Sequence, residues 1–191
     1  MTELRAYHGD PAIKAKYLAR VRAHREADRL IQGTGWEGGK GCAVGCTLEA
    51  YDHALYETEL GIPVALAHLE DAVFEGLDAS TAQYWPERFL SAIEPGADLS
   101  QVGDQFVLWL LSGADSPIAE WTGSAPIQAV ANLYRRRLDG DEPTEAEWNA
   151  SWAASWAAAM NASWAAAAAA RAAPWLTMSN KLEQLLKGAP I

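Results

Sequence analysis

Apolar residues recur along this chain at spacings of three and four, and capping residues, glycines and prolines punctuate them at helix-length intervals. Asp10-Pro11 starts the first helix, with Asp as cap and Pro at the first helical position. The helix is expected to run to about Gln32 and stop at Gly33, with Ile13, Tyr17, Val21 and His24 on one stripe beside Ile31. Arg22, Arg25 and Arg29 lie on another stripe. Thr47 is placed to cap a second helix to Leu60, with Gly61 beyond its end and Leu48, Tyr51 and Leu55 facing the core. Pro63 opens a third, ending at Gly76, whose core stripe is Ile62, Leu66, Leu69 and Val73. A short helix follows at Ser80–Gln83 and another from Pro86 towards Ile93. Asp98 then caps Leu99–Ser112, with Val102, Phe106, Trp109 and Leu110 inward. Ser124-Ala125-Pro126 begins a helix that ends in three arginines, where cations suit the C-terminal dipole. No stretch sustains period-two alternation, so no strand is expected.

Thr144 and Glu147 have capping-box spacing and open the longest helix, which reaches towards Pro174. Trp148, Trp152, Trp156, Met160 and Trp164 recur within it every four residues, a stripe that winds through roughly 160°. At roughly 45 Å such a helix overhangs a domain with a radius of gyration near 16 Å, and pairing of the overhang predicts a homodimer. A last helix is expected over Asn180–Lys187. The pattern as a whole predicts an all-α protein, a compact helical bundle with one long C-terminal Ala/Trp-rich helix. Residues 1–142 form the helical core and 143–191 pack on the same domain.

Glycine interrupts the rhythm once with more than a turn. Gly33–Cys46 reads GTGWEGGKGCAVGC and holds six glycines and both cysteines. Exposed backbone N–H groups around Gly38, Gly39 and Gly41, with Lys40 and with Arg22 and Arg25 of the first helix, are suited to an anion, and Trp36 to a stacked ring. The P-loop pattern is not met: Gly39-Lys40 is followed by Gly41, position 34 is threonine, and no strand precedes the loop. Charge supports the reading. The chain carries −10 overall, yet residues 1–41 hold eight Lys/Arg against five Asp/Glu. The acidic remainder excludes general nucleic-acid binding, which needs clustered cations.

Cys42 and Cys46, four apart, would share a face of a helical turn and are weak metal-ligand candidates. Two buried structural thiols are the plainer reading. A helix starting near Cys42, together with Lys40, would lower the thiol pKa. His68, Asp71 and Glu75 on one helix, and His53 between Glu49 and Glu57 on another, fall opposite the core stripes and read as solvated faces. His24 reads as a core histidine. No signal peptide opens the chain, and the uncharged run 149–170 is too rich in alanine for a membrane span. A cytoplasmic protein with no cofactor and no membrane is expected.

The runs KGCAVGCTL, YETELGIPVALAHLEDAVFEGL, WPERFL, GADLS and LYRRRLDG, with the alanine/aromatic tail, resemble a family of uncharacterised bacterial and phage proteins. The resemblance transfers no catalytic residues, and a phage setting would imply inhibition or sequestration of a host component. Together the readings point to a non-catalytic binding protein that sequesters a small anionic, nucleotide-like ligand at the glycine loop and basic first helix. The alternative is a protein–protein inhibitor or scaffold that acts on a host protein through the acidic surface or the tryptophan helix. An enzyme using Cys42, Cys46 or a metal ranks last.

Overall fold

A computed structural model describes residues 4–119, 123–151 and 173–191. The fold is all-α apart from one small hairpin, as the helical rhythm predicts. The tryptophan repeat beyond Trp148 lies outside the described residues, and with it the expectations for the long helix and the homodimer.

The chain clusters into two compact units, Met1–Gly103 with Ser179–Ile191, and Asp104–Met178. In the first, α1 (Pro11–Glu26) packs against α2 (Ala43–Leu48) and α6 (Trp85–Ala92), and α2 packs against α4 (Val64–Gly76). Between them run α3 (Leu55–Leu60) and α5 (Ala79–Ala82). Trp85, Tyr7, Tyr17, Tyr56, Phe74 and Phe89 fill the interior with Leu60, Ile62 and Leu66. The buried Tyr7 hydroxyl donates to the Leu90 carbonyl at 2.7 Å, so the aromatic core leaves no orphan phenol there. The C-terminal helix α9 (Ala173–Lys187) contributes Leu182 and Leu186 to the same unit. Past its end, Pro190 accepts a hydrogen bond from Asp98 N at 2.7 Å.

The second unit holds α7 (Val102–Ser112) from Asp104 onward, α8 (Ala125–Leu138) and a helix that opens at residue 145. Its expected capping box forms reciprocally. Thr144 N donates to Glu147 Oε2 at 2.8 Å, and Glu147 N donates to Thr144 Oγ1 at 3.3 Å. Arg137 of α8 pairs with Asp104 of α7 at 2.9 Å, and Tyr134 meets Trp148 edge-on at 4.9 Å.

Several boundaries differ from the periodic reading, among them the last helix, which begins at Ala173 and not Asn180, and the helix expected from Leu99, which begins at Val102. The first helix starts on its predicted cap, with Ala12 N on Asp10 Oδ1 at 2.8 Å. It stops at Glu26, not Gln32, because Asp28 turns left-handed (φ 54°) and Arg29 N returns to the His24 carbonyl. The predicted second helix is two, and the first begins at Ala43 on a Cys42 cap, so Thr47, expected as the cap, lies buried inside it. Glu49 takes φ 58° and closes α2, and Asp52 restarts the chain by accepting from Ala54 N at 3.0 Å. Tyr51, expected in the core, falls in that break and is 55% exposed. The glycine stretch contains strands after all, β1 (Trp36–Glu37) and β2 (Lys40–Gly41), each too short to show alternation.

Candidate functional site

The hairpin is built by glycine geometry. Gly38 and Gly39 both take positive φ (58° and 78°), as a two-residue primed turn requires, and pair Glu37 with Lys40. Behind the turn the backbone closes on itself. A Cβ on Gly45 would lie 1.9 Å from the Gly35 carbonyl oxygen, and one on Gly41 only 2.2 Å from it. The backbone donors nearest the cysteines are already used. Gly41 N donates to the Arg29 carbonyl at 3.0 Å, and Cys42 N to Thr34 O at 2.7 Å. Gln32 pins the hairpin to the end of α4 by donating to Phe74 O at 2.7 Å and Leu77 O at 2.9 Å. Glycine here therefore serves close packing.

The seven residues expected to share an anion site are placed in two groups. Trp36, Gly38, Gly39, Lys40 and Gly41 belong to the hairpin, where Trp36 meets the buried His24 ring edge-on at 5.5 Å and Lys40 is exposed. Arg22 and Arg25 instead reach α6. Arg22 Nε lies 2.7 Å from Glu87 Oε1, and Arg25 pairs with the other oxygen of the same carboxylate.

Arg25 lines a different concavity, and Arg22 reaches it only through Glu87. A cleft of about 540 Å³ is lined by Arg25, Tyr84, Glu87, Arg88, Glu183 and Lys187, from α1, α6 and α9 and the residue preceding α6. Glu183 is shared as Glu87 is: Arg88 Nη2 lies 2.6 Å from its Oε2, and Lys187 Nζ 2.6 Å from its Oε1. Four cations thus share two carboxylates, a local surplus of positive charge in an acidic protein. Burial pushes both carboxyls up, but hydrogen bonds from their cations outweigh it and hold each below its ordinary value. The Arg25 guanidinium sits 4.8 Å from the centre of the Tyr84 ring, and Tyr84 is 56% exposed.

Neither cysteine behaves as an activated thiol. Cys42 caps α2, its Sγ accepting from Gly45 N at 3.5 Å, but burial and the neighbouring Asp71 push its pKa well up, not down as expected from the helix start. Cys46 donates to the carbonyls of Arg29 and Gly41, both at 3.4 Å, and burial raises it to about 11. Both are free and buried, and they face different partners.

The two histidine–carboxylate groups that read as separate solvated faces come together. The break after Glu49 swings His53 onto α4, where its Nε2 lies 3.3 Å from Asp71 Oδ2 and its ring stacks on His68 at 4.1 Å. Tyr51 Oη donates to the same Asp71 oxygen at 3.1 Å. Cys42 Sγ, one Asp71 oxygen and one Glu75 oxygen all lie within 4.8 Å of one another. Beneath them Tyr56 donates to Glu70, which is completely buried and raised to about 8, chiefly by burial. Glu70 had no signal in the sequence, since it lies one residue from the expected stripe position Leu69.

No known protein family, curated protein or solved structure matches this chain. No helix among the described residues is long and apolar enough to cross a membrane.

Proposed function

We propose that the chain is a non-catalytic binding protein that sequesters a small anionic ligand in the cleft between α1, α6 and α9. One observation carries the reading: a cavity of small-molecule size is lined by Arg25, Arg88 and Lys187 against two carboxylates, Glu87 and Glu183, and Arg22 pairs with Glu87 from outside the lining. An incoming phosphate completes the neutralisation that Glu87 and Glu183 leave half done. The half-exposed Tyr84 ring offers a face to a base, so the ligand class is nucleotide-like. The basic first helix keeps the role expected of it through Arg25, while the glycine hairpin is scaffold. A cytoplasmic setting, in keeping with two reduced thiols, and membership of the bacterial and phage family belong to the same proposal.

Calorimetry and thermal melts with inorganic pyrophosphate and with mononucleotides test it. Ligand at 100 times its Kd should stabilise the native chain by about 2.7 kcal/mol, with affinity falling as salt rises. Lys187→Glu should abolish the effect, Tyr84→Ala should weaken nucleotide more than pyrophosphate, and Lys40→Ala should leave both unchanged. No stabilisation by any of these anions at millimolar concentration, or binding indifferent to Lys187→Glu, would overturn the proposal.

A further inference from the structure

We propose that Cys42, Asp71 and Glu75 form a binding site for a thiophilic divalent cation of the zinc class. The site is separate from the basic cleft and rests on different residues. Three donors of different chemistry come from two elements, the cap of α2 and successive turns of α4, with ligand atoms within 4.8 Å of one another. Asp71 and Glu75 are four apart on α4 and so share one face, which the α2 cap meets. Tetrahedral coordination at zinc bond lengths of about 2.0–2.3 Å separates ligands by about 3.5 Å, so the group must draw in by roughly 1 Å. Glu75 can supply that movement. It is exposed, and only Gly33 N, at 2.8 Å, holds its Oε2.

Two further observations point to a cation rather than to a polar cluster satisfied by itself. Asp71 Oδ1 is shut off from solvent and has no hydrogen-bond partner, while Tyr51 and His53 both hold Oδ2. An unpaired buried carboxylate oxygen is costly unless something electropositive faces it. The surroundings are also one-sided. Among the described residues no lysine or arginine lies in salt-bridge range of Asp71 or Glu75. His53 is the one base in direct contact with Asp71, on the oxygen it shares with Tyr51. A divalent ion supplies the missing positive charge.

The donor set selects the ion. One sulfur with two carboxylate oxygens favours zinc over magnesium or calcium, which take oxygen alone. On binding, the Cys42 S–H bond is replaced by a sulfur–metal bond and the proton leaves to solvent. Tyr51 and His53 then orient the ligating carboxylate through its other oxygen, and His68 fixes the His53 ring by stacking. Cys46 takes no part, because its thiol is engaged with two backbone carbonyls.

The full chain, stripped with chelator, should be titrated with Zn²⁺ by calorimetry and with Co²⁺ by absorption. One equivalent of Zn²⁺ should bind with proton release, and Co²⁺ should give a thiolate charge-transfer band. Cys42→Ser should remove the band, Cys46→Ala should keep it, and His53→Ala should weaken affinity by about 10–100-fold. Should Cys42→Ser fail to fold, the exposed Glu75→Gln carries the test and should lose most of the affinity. Absence of stoichiometric binding, a band that survives Cys42→Ser, or undiminished affinity in Glu75→Gln would overturn the site. Neither result bears on pyrophosphate or nucleotide binding at Lys187.

Discussion

Replacing Glu70 by Gln should remove a loss of stability that the native chain suffers as pH rises. Glu70 is wholly buried, donated to by Tyr56, and its carboxyl is raised from 4.5 to about 8, mainly by burial. The sign follows from proton uptake. Between those two values the native state holds a proton that the unfolded chain has released. The contribution is therefore complete below pH 4.5 and is lost as pH rises through 8. At 1.36 kcal/mol per pH unit, about 3–4 kcal/mol disappears between pH 5 and pH 8. Gln preserves an acceptor for the Tyr56 hydroxyl but cannot ionise, so the variant lacks this slope. Every other titrating group is common to the two proteins and cancels in their difference. Thermal melts of both, followed by circular dichroism from pH 5 to pH 8, should show Tm values close together at pH 5. By pH 8 the variant should be ahead by about 7–14 °C, taking 2–4 °C per kcal/mol for a chain of this size. A difference that stays constant with pH would show that Glu70 is not held protonated, and the reasoning from burial would fail.

Two packing predictions follow from the hairpin and the first cap. Gly45→Ala places its Cβ 1.9 Å from the Gly35 carbonyl oxygen, so it should cost about 3 kcal/mol or more in urea denaturation. Gly38→Ala meets nothing within 4 Å and should cost only the left-handed backbone penalty of about 1–2 kcal/mol. Equal losses in the two would refute the close-packing role assigned to Gly45. Asp10→Ala removes the acceptor of Ala12 N and should destabilise α1 by about 1 kcal/mol, with faster amide exchange at Ala12 and its neighbours as the readout.

The starts at Asp10 and Thr144 were legible because their caps are local, each a side chain bonding a backbone N–H within three residues, whereas Thr47, read as a cap, lies inside the helix that Cys42 caps. The ends were less so. Glu49 is no glycine, yet it takes a left-handed conformation and splits a helix whose stripe ran on without interruption. That one residue undoes the face assignments downstream, which is why Tyr51 emerges at the surface and His53 meets Asp71. Two-residue strands have no period, so the hairpin leaves no mark in the hydrophobic pattern. Its glycines stand out in the sequence but their reason does not, since the approach of Gly35 to Gly45 exists only after folding. Charge sharing failed for a related cause. Arg22 and Arg25 were visible as a basic stripe, but their partner Glu87 lies more than sixty residues away and nothing local announces it.

The first compact unit is discontinuous, for residues 179–191 complete what residues 1–103 begin. During synthesis a ribosome must therefore release the whole intervening segment before Leu182 and Leu186 can seat and before Glu183 can reach Arg88. Until then the nascent chain exposes the apolar patch those leucines cover, and closing a gap of about 75 residues costs on the order of 4 kcal/mol of loop entropy. A chain stalled within the insertion is thus an unfinished core, open to chaperones and proteases, and the final turns of α9 act as the latch on the first hundred residues.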